Sequence, residues 1–397
     1  MFFLLFLLAA LFIGPALHIE PPQASFEDMQ AVADANNQFA LDFYSEIDDE
    51  GNIFFSPFSI SSAIAMTYEG AQGQTAKEMK EVFHFPEEDV MRPAFEEIYN
   101  WVNRRDEEYE LHTANALWAQ EDYPFIKDYF NLIKRHYGGE ITNVDFKTDS
   151  EGVRQRINDW VESQTNNKIL NLIPSGAINS ITRLVLTNAI YFKGTWVLQF
   201  NKDDTMERNF RVNQNYTVNV PTMKMVDEKF NYAETDDLQI LEMPYDGESL
   251  SMLILLPKDD WLGTLGSIDA NKLSELRGIL VEQEVDVYLP KFKLETKYFM
   301  KPALVKMGMP TAFSGAADFS GITETNDLTI DEVIHQAFVE VDEEGTEAAA
   351  ATAVIMKTTS VGPTKPIFQA DHPFMFVIQE RESGGILFLG RVSDPSQ

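Results

Sequence analysis

The sequence predicts an α+β fold, and three observations carry that reading. Apolar residues recur at helical spacing through much of the first 165 residues, whereas β-branched and aromatic alternation dominates from 184 onward. Both helices and strands are therefore expected in the one chain. The 397 residues are 44% hydrophobic and 12% aromatic, which is globular rather than disordered and enough for a large core.

In chain order, Phe26, Met29, Val32, Phe39, Phe43 and Ile47 predict a helix over 26–47. The stretch 52–79, NIFFSPFSISSAIAMTYEGAQGQTAKEM, predicts a short strand broken at Pro57, then a helix of small residues over 59–68. A glycine-containing turn leads to a second helix from Thr75. Small residues let a helix lie close beneath a sheet. An acidic amphipathic helix is expected over 87–103, one strand over 111–120, a helix over 125–137, a strand over 139–146 and a helix over 149–165. LVLTNAIYFKGTW, 184–196, is an apolar strand ending at a Lys-Gly turn and a tryptophan. Strands follow at 220–225, 238–245, 250–257 and 285–295, interrupted by a helix at 270–282. A short helix is expected at 300–309, a loop at 312–322, and a strand over 334–349. The last segment, 371–392, predicts a β-hairpin closed by a Glu-Ser-Gly-Gly turn.

The formal net charge is −32, which argues against nucleic acid or anionic lipid as a partner, since both select clustered Lys and Arg. No cysteine is present, so disulfides, a thiol nucleophile and thiolate metal sites are excluded. Residues 1–17 form an apolar run of signal-peptide length, short for a membrane span, with candidate cleavage after Ala16 or Ala24. The expected organisation is a signal peptide over 1–24 and a single domain over 25–397 in a secreted, extracellular protein (periplasmic or cell-surface in a prokaryote). Asn215-Tyr216-Thr217 is an N-glycosylation sequon.

Catalytic motifs are absent: no G-x-S-x-G, H-E-x-x-H, P-loop or Rossmann glycine pattern occurs. The six histidines are scattered without metal-ligand spacing, so neither a metal nor a cofactor is expected. Ser56 beside the Pro-broken strand reads as a cap or turn residue rather than a nucleophile.

The unusual stretch is 343–365, EEGTEAAAATAVIMKTTSVGPTK, tethered between apolar runs. Long loops inside compact domains are functional or disordered more often than not. As a strand, its first half would set Thr346, Ala348, Ala350 and Thr352 on one face and Glu347, Ala349, Ala351 and Ala353 on the other. The first face is small and uncharged and could slide into a sheet. From composition alone, a helix and a flexible linker together outweigh the insertable strand.

EEGTEAAAAT resembles the hinge of the reactive-centre loop of the serpins. The 52–79 block, LVLTNAIYFKGTW, LPKFKLE at 289–295 and the 334–349 run also resemble serpin segments, in the same order. The resemblance runs from about residue 28 to the end of the chain. It implies a serpin fold: large mixed and antiparallel sheets, about eight or nine helices, and an exposed reactive-centre loop at 343–365. It implies no enzyme, but an inhibitor of serine proteases that is cut as a substrate, traps the acyl-enzyme and inserts its loop into the main sheet. The hinge would comprise Glu343, Gly345, Thr346, Glu347, Ala348, Ala349, Ala350, Ala351 and Thr352. Ser56, Ser59, Asn188 and His335 fall on the family's shutter network and Trp196 on its breach. Counting along the loop puts the reactive bond at Thr359–Ser360, suited to an elastase-like or subtilisin-like protease. Lys357–Thr358 is the alternative, suited to a trypsin-like one. A monomer forming a 1:1 covalent complex is implied. The rival reading is a non-inhibitory binding, carrier or chaperone protein on the same fold.

Overall fold

The computed structural model describes residues 24–102, 109–259, 261–325, 327–346 and 365–397. Helix α1 (Phe26–Glu46) opens at a capping box in which Ser25 and Asp28 bond each other's backbone N–H groups. Strand β1 (Ile53–Phe55) gives way at Ser56, the N-cap of α2 (Pro57–Tyr68), whose first turn takes Pro57 because that position needs no N–H. Every residue of α2 is buried, which explains its Ser/Ala-rich composition. Helices α3 (Gly73–Phe83) and α4 (Glu88–Val102) follow.

The expected strand over 111–120 is two strands, β2 (Tyr109–Thr113) and β3 (Ala116–Gln120). The break falls at Asn115, whose side chain turns to accept a hydrogen bond from Asn188. Next come α5 (Lys127–His136), β4 (Glu140–Val144), α6 (Phe146–Gln164) and β5 (Leu184–Thr195). The strand-rich middle holds β6 (Met206–Asn213), β7 (Tyr216–Glu234), β8 (Leu238–Pro244) and β9 (Leu250–Pro257), then α7 (Trp261–Gly266) and α8 (Ala270–Gly278).

The expected strand over 285–295 is also two. β10 (Val281–Pro290) pairs with β7 in one sheet, and β11 (Phe292–Phe299) pairs with β12 in the other, so the chain changes sheets at Lys291. Then come α9 (Lys301–Met307), β12 (Ile334–Val341), β13 (Gly345–Thr346), β14 (Ile367–Gln369) and the hairpin β15 (Phe374–Glu380) and β16 (Ile386–Val392).

One sheet runs β1-β16-β15-β9-β8-β7-β10-β14 with β6 beside β7; the other runs β11-β12-β13-β5-β3-β4 with β2 beside β5. An apolar core including Phe54, Phe192, Trp196, Tyr245 and Phe376 fills the space between them. On the outer face of the second sheet, α6 sets Val153 and Ile157 against Trp118, Tyr191 and Phe338. Removing this much apolar surface from water is the main stabilising contribution. Among the described residues no helix is long and apolar enough to cross a membrane.

Candidate functional site

The second sheet is parted at its centre. Strands β5 and β12 lie parallel and pair directly only from Asn188–Tyr191 to His335–Phe338. Toward their C-terminal ends they separate, and β13 occupies the gap, antiparallel to both. Thr346 faces Val341 and Gly194, and Gly345 faces Thr195. The expected strand over 334–349 therefore does not run straight on. It ends at Val341, reverses through Asp342–Glu344 and re-enters the sheet at Gly345.

The reversal is held by identifiable bonds. The Asp342 carboxylate accepts from the N–H of Glu344 (2.9 Å) and of Gly345 (3.3 Å). The Trp196 N–H donates to the Glu344 carbonyl (2.9 Å) and its indole Nε1–H to the Asp342 carbonyl (3.1 Å). Trp196 itself is stacked on Tyr245, with ring centroids 4.5 Å apart. Glu343 is buried, and its carboxylate accepts from Lys291 Nζ (2.6 Å) and Thr205 Oγ1 (2.8 Å). Burial pushes its pKa up, but the Lys291 and Thr205 hydrogen bonds more than offset this and hold it below the usual glutamate value. Glu344 pairs with Lys202. The Thr346 side chain is fully buried and shares a 2.7 Å hydrogen bond with the Tyr245 hydroxyl.

Below β13, where the strands still touch, a polar cluster sits in the core. His335 and Asn188 are direct register partners across the β5–β12 boundary. The Ser56 N–H donates to His335 Nε2 (3.0 Å), so the ring proton is on Nδ1 and is donated to Asn188 Oδ1 (2.6 Å). Asn188 Nδ2 donates to the Ser59 carbonyl (2.7 Å) and hydroxyl (2.5 Å) and to Asn115 Oδ1 (2.8 Å). Burial pushes the His335 pKa down to about 3, so the ring is neutral. The Ser56 hydroxyl donates to the Leu387 carbonyl (2.7 Å) and caps α2 by accepting from the Ser59 N–H (3.1 Å). It makes no bond to His335. A serine without a base, fully buried, cannot serve as a nucleophile.

The structure thus gathers Ser56, Ser59, Asn188 and His335 into one network, and Trp196, Glu343, Gly345 and Thr346 into a second. Their partners Asn115, Lys202, Thr205, Tyr245 and Lys291 were not singled out from sequence. LPKFKLE contains Lys291, but only the sheet crossing aims its amine at Glu343. Glu347 to Thr352, Lys357, Thr358, Thr359 and Ser360 lie outside the described residues. Asn215 lies exposed in the turn between β6 and β7. No group of three or more metal-ligating side chains occurs among the described residues.

A family model described as "Serpin (serine protease inhibitor)" matches residues 34–395. The chain is 42% identical over 369 residues to a serpin-like protein of Methanosarcina acetivorans, covering 92% of this chain and 86% of that one. It is 41% identical over 381 residues to the human leukocyte elastase inhibitor, covering 92% and 100%. Among solved structures, a serpin of the insect Tenebrio molitor matches with a TM-score of 0.83 at 35% identity, covering 94% of this chain and all of that one.

Proposed function

The chain belongs to the serpin family, a family of protease inhibitors rather than enzymes, and on that premise we propose that it inhibits serine endopeptidases as a suicide substrate. A protease cuts the loop after Thr359, or after Lys357, and forms an acyl-enzyme. The freed hinge end then inserts between β5 and β12 and carries the protease with it before the ester is hydrolysed. Insertion of a reactive loop into a sheet is a known mode of strand addition in this family, and the residues around the parted sheet suit it.

The observation that carries the reading is β13. Its two residues already lie between the strands, antiparallel to both, at the position where β5 and β12 have separated. Continuing that register sets Met356 opposite Leu184, the first residue of β5. A cut at Thr359 leaves a segment that spans β5 and ends just beyond it. A cavity of about 80 Å³ lined by Leu184, Leu186, Asp331, Glu332, Val333 and Ile334 lies at that end, where an inserted strand would fill space. The Thr346 side chain points to the core, so strand alternation would send Ala348, Ala350 and Thr352 the same way.

Insertion must break the four-residue direct pairing of β5 with β12 and the His335–Asn188 bond that spans it. In return it forms two antiparallel ladders. Roughly a dozen bonds at about 0.5–1.5 kcal/mol net each give on the order of 10 kcal/mol. Inhibition is a race between insertion and deacylation. Elastase-like, subtilisin-like or trypsin-like enzymes are the partners, in a 1:1 covalent complex. Export follows from the apolar run that opens the chain, with residues 1–24 removed. Helix α1 starts directly afterwards, at its Ser25 cap.

The test is to place a charge on the inserting face. Thr346→Arg and Ala350→Glu should each turn the inhibitor into a substrate, because an unpaired buried charge is very unfavourable. The measurement is the stoichiometry of inhibition, which should rise steeply as cleavage without trapping takes over. Inhibition retained at wild-type stoichiometry by both variants would overturn the insertion mechanism.

A further inference from the structure

A cavity of about 170 Å³ lies away from the parted sheet, between α1, α2, α4 and the β15–β16 hairpin. Its walls are apolar, formed by Met29 and Ala33 of α1, Phe58 of α2, Ile98 and Trp101 of α4, and Leu387 of β16. One polar atom in this lining stands out. Asn36 is 6% exposed and lines the cavity, and its Nδ2 donates to the Ile386 carbonyl (2.8 Å). That bond fixes the orientation of the amide and leaves Oδ1 buried with no hydrogen-bond partner. The neighbouring Asn37 makes the contrast: its Nδ2 donates to the Gly384 carbonyl and its Oδ1 accepts from the Ile386 N–H.

A buried acceptor left unpaired costs about 1–3 kcal/mol. A single water is a poor remedy, because a buried water needs about two to four polar partners. The space also exceeds one water: an engineered apolar cavity of roughly 150 Å³ takes up benzene. Glu380 and Glu382 stand at the lining, and among the described residues no Lys or Arg does. The Glu380 carboxylate is occupied by the N–H groups of Glu382 and Ser383 and by the Ser383 hydroxyl. We infer that this cavity is a binding site for a small aromatic compound of phenol or indole size. The ring lies against Phe58 and Trp101, one O–H or N–H donates to Asn36 Oδ1, and the flanking glutamates exclude anionic ligands.

Calorimetric titration of the full chain with p-cresol, toluene, indole and indole-3-acetate tests this, with Trp101 emission as a second readout. Saturable binding of p-cresol and indole is expected. Toluene, which matches p-cresol without the donor, should bind about tenfold or more weakly, and indole-3-acetate weaker than indole. Asn36→Leu should abolish the preference for p-cresol over toluene. Ala33→Leu, which fills the cavity, should abolish binding of both; Ile98→Phe serves the same purpose if Ala33→Leu does not fold. No saturable binding by the wild-type chain, equal affinity for p-cresol and toluene, or undiminished binding by a folded cavity-filling variant would overturn the assignment.

Discussion

Gly345 shows how closely β13 is fitted. A Cβ built there would lie 2.0 Å from the carbonyl oxygen of Gly194 and 2.8 Å from the Thr195 Cα, both backbone atoms that cannot swing aside. Any side chain therefore pushes β13 out of the gap. Gly345→Val is expected to keep the fold but slow inhibition, giving a higher stoichiometry and more cleaved inhibitor on gels. His335 sets a second residue-scale expectation. Its pKa falls from 6.5 to about 3 on burial, so the unfolded chain binds more protons between those values. Its contribution to stability is fully present above about pH 6.5 and is lost as pH falls toward 3, on the order of 2 kcal/mol by pH 5. Urea midpoints at pH 7.5 and pH 5 should show this loss in the wild type, and a smaller loss in His335→Gln. Equal losses would place the acid sensitivity elsewhere.

At the scale of elements, β10 and β11 are joined by one residue at a change of sheet, and that residue, Lys291, reaches the loop reversal at Glu343. Lys291 is partly exposed, so solvent screens the pair, and its value is on the order of 1–2 kcal/mol. Lys291→Glu should lower the Tm by a few degrees, as should Glu343→Lys. The exchange Lys291→Glu with Glu343→Lys should recover part of the loss, and an absence of coupling in this cycle would show that the pair does not hold the reversal. Much of this architecture is legible in the sequence. Helical period marks α1, the Pro-broken strand with its cap serine marks the start of α2, and apolar runs mark β5, β9 and the closing hairpin. Other features are not. The reversal at 342–344 depends on bonds from Trp196 and Phe200, far away in the chain. The crossing at Lys291 leaves the apolar alternation unbroken, so 285–295 reads as one strand. Asn115 interrupts β2–β3 because of its contact with Asn188, not through any local turn signal. β13, with two residues, is too short to carry a period.

At the scale of the whole molecule, the proposed insertion predicts a cleaved form more stable than the intact chain. Cutting the loop should raise the Tm well above that of the intact protein, as seen by calorimetry before and after limited proteolysis. The net charge of −32 predicts association with basic proteases that slows as salt rises, since screening shortens the reach of the field. Both expectations rest on the central claim, covalent trapping through loop insertion. The most direct measurement mixes the protein separately with elastase, subtilisin and trypsin, followed by denaturing gels and N-terminal sequencing of the released peptide. The predicted result is a denaturation-resistant complex near the summed mass with at least one protease, and a new N-terminus at Ser360 or Thr358. Clean cleavage by all three with no complex would contradict it.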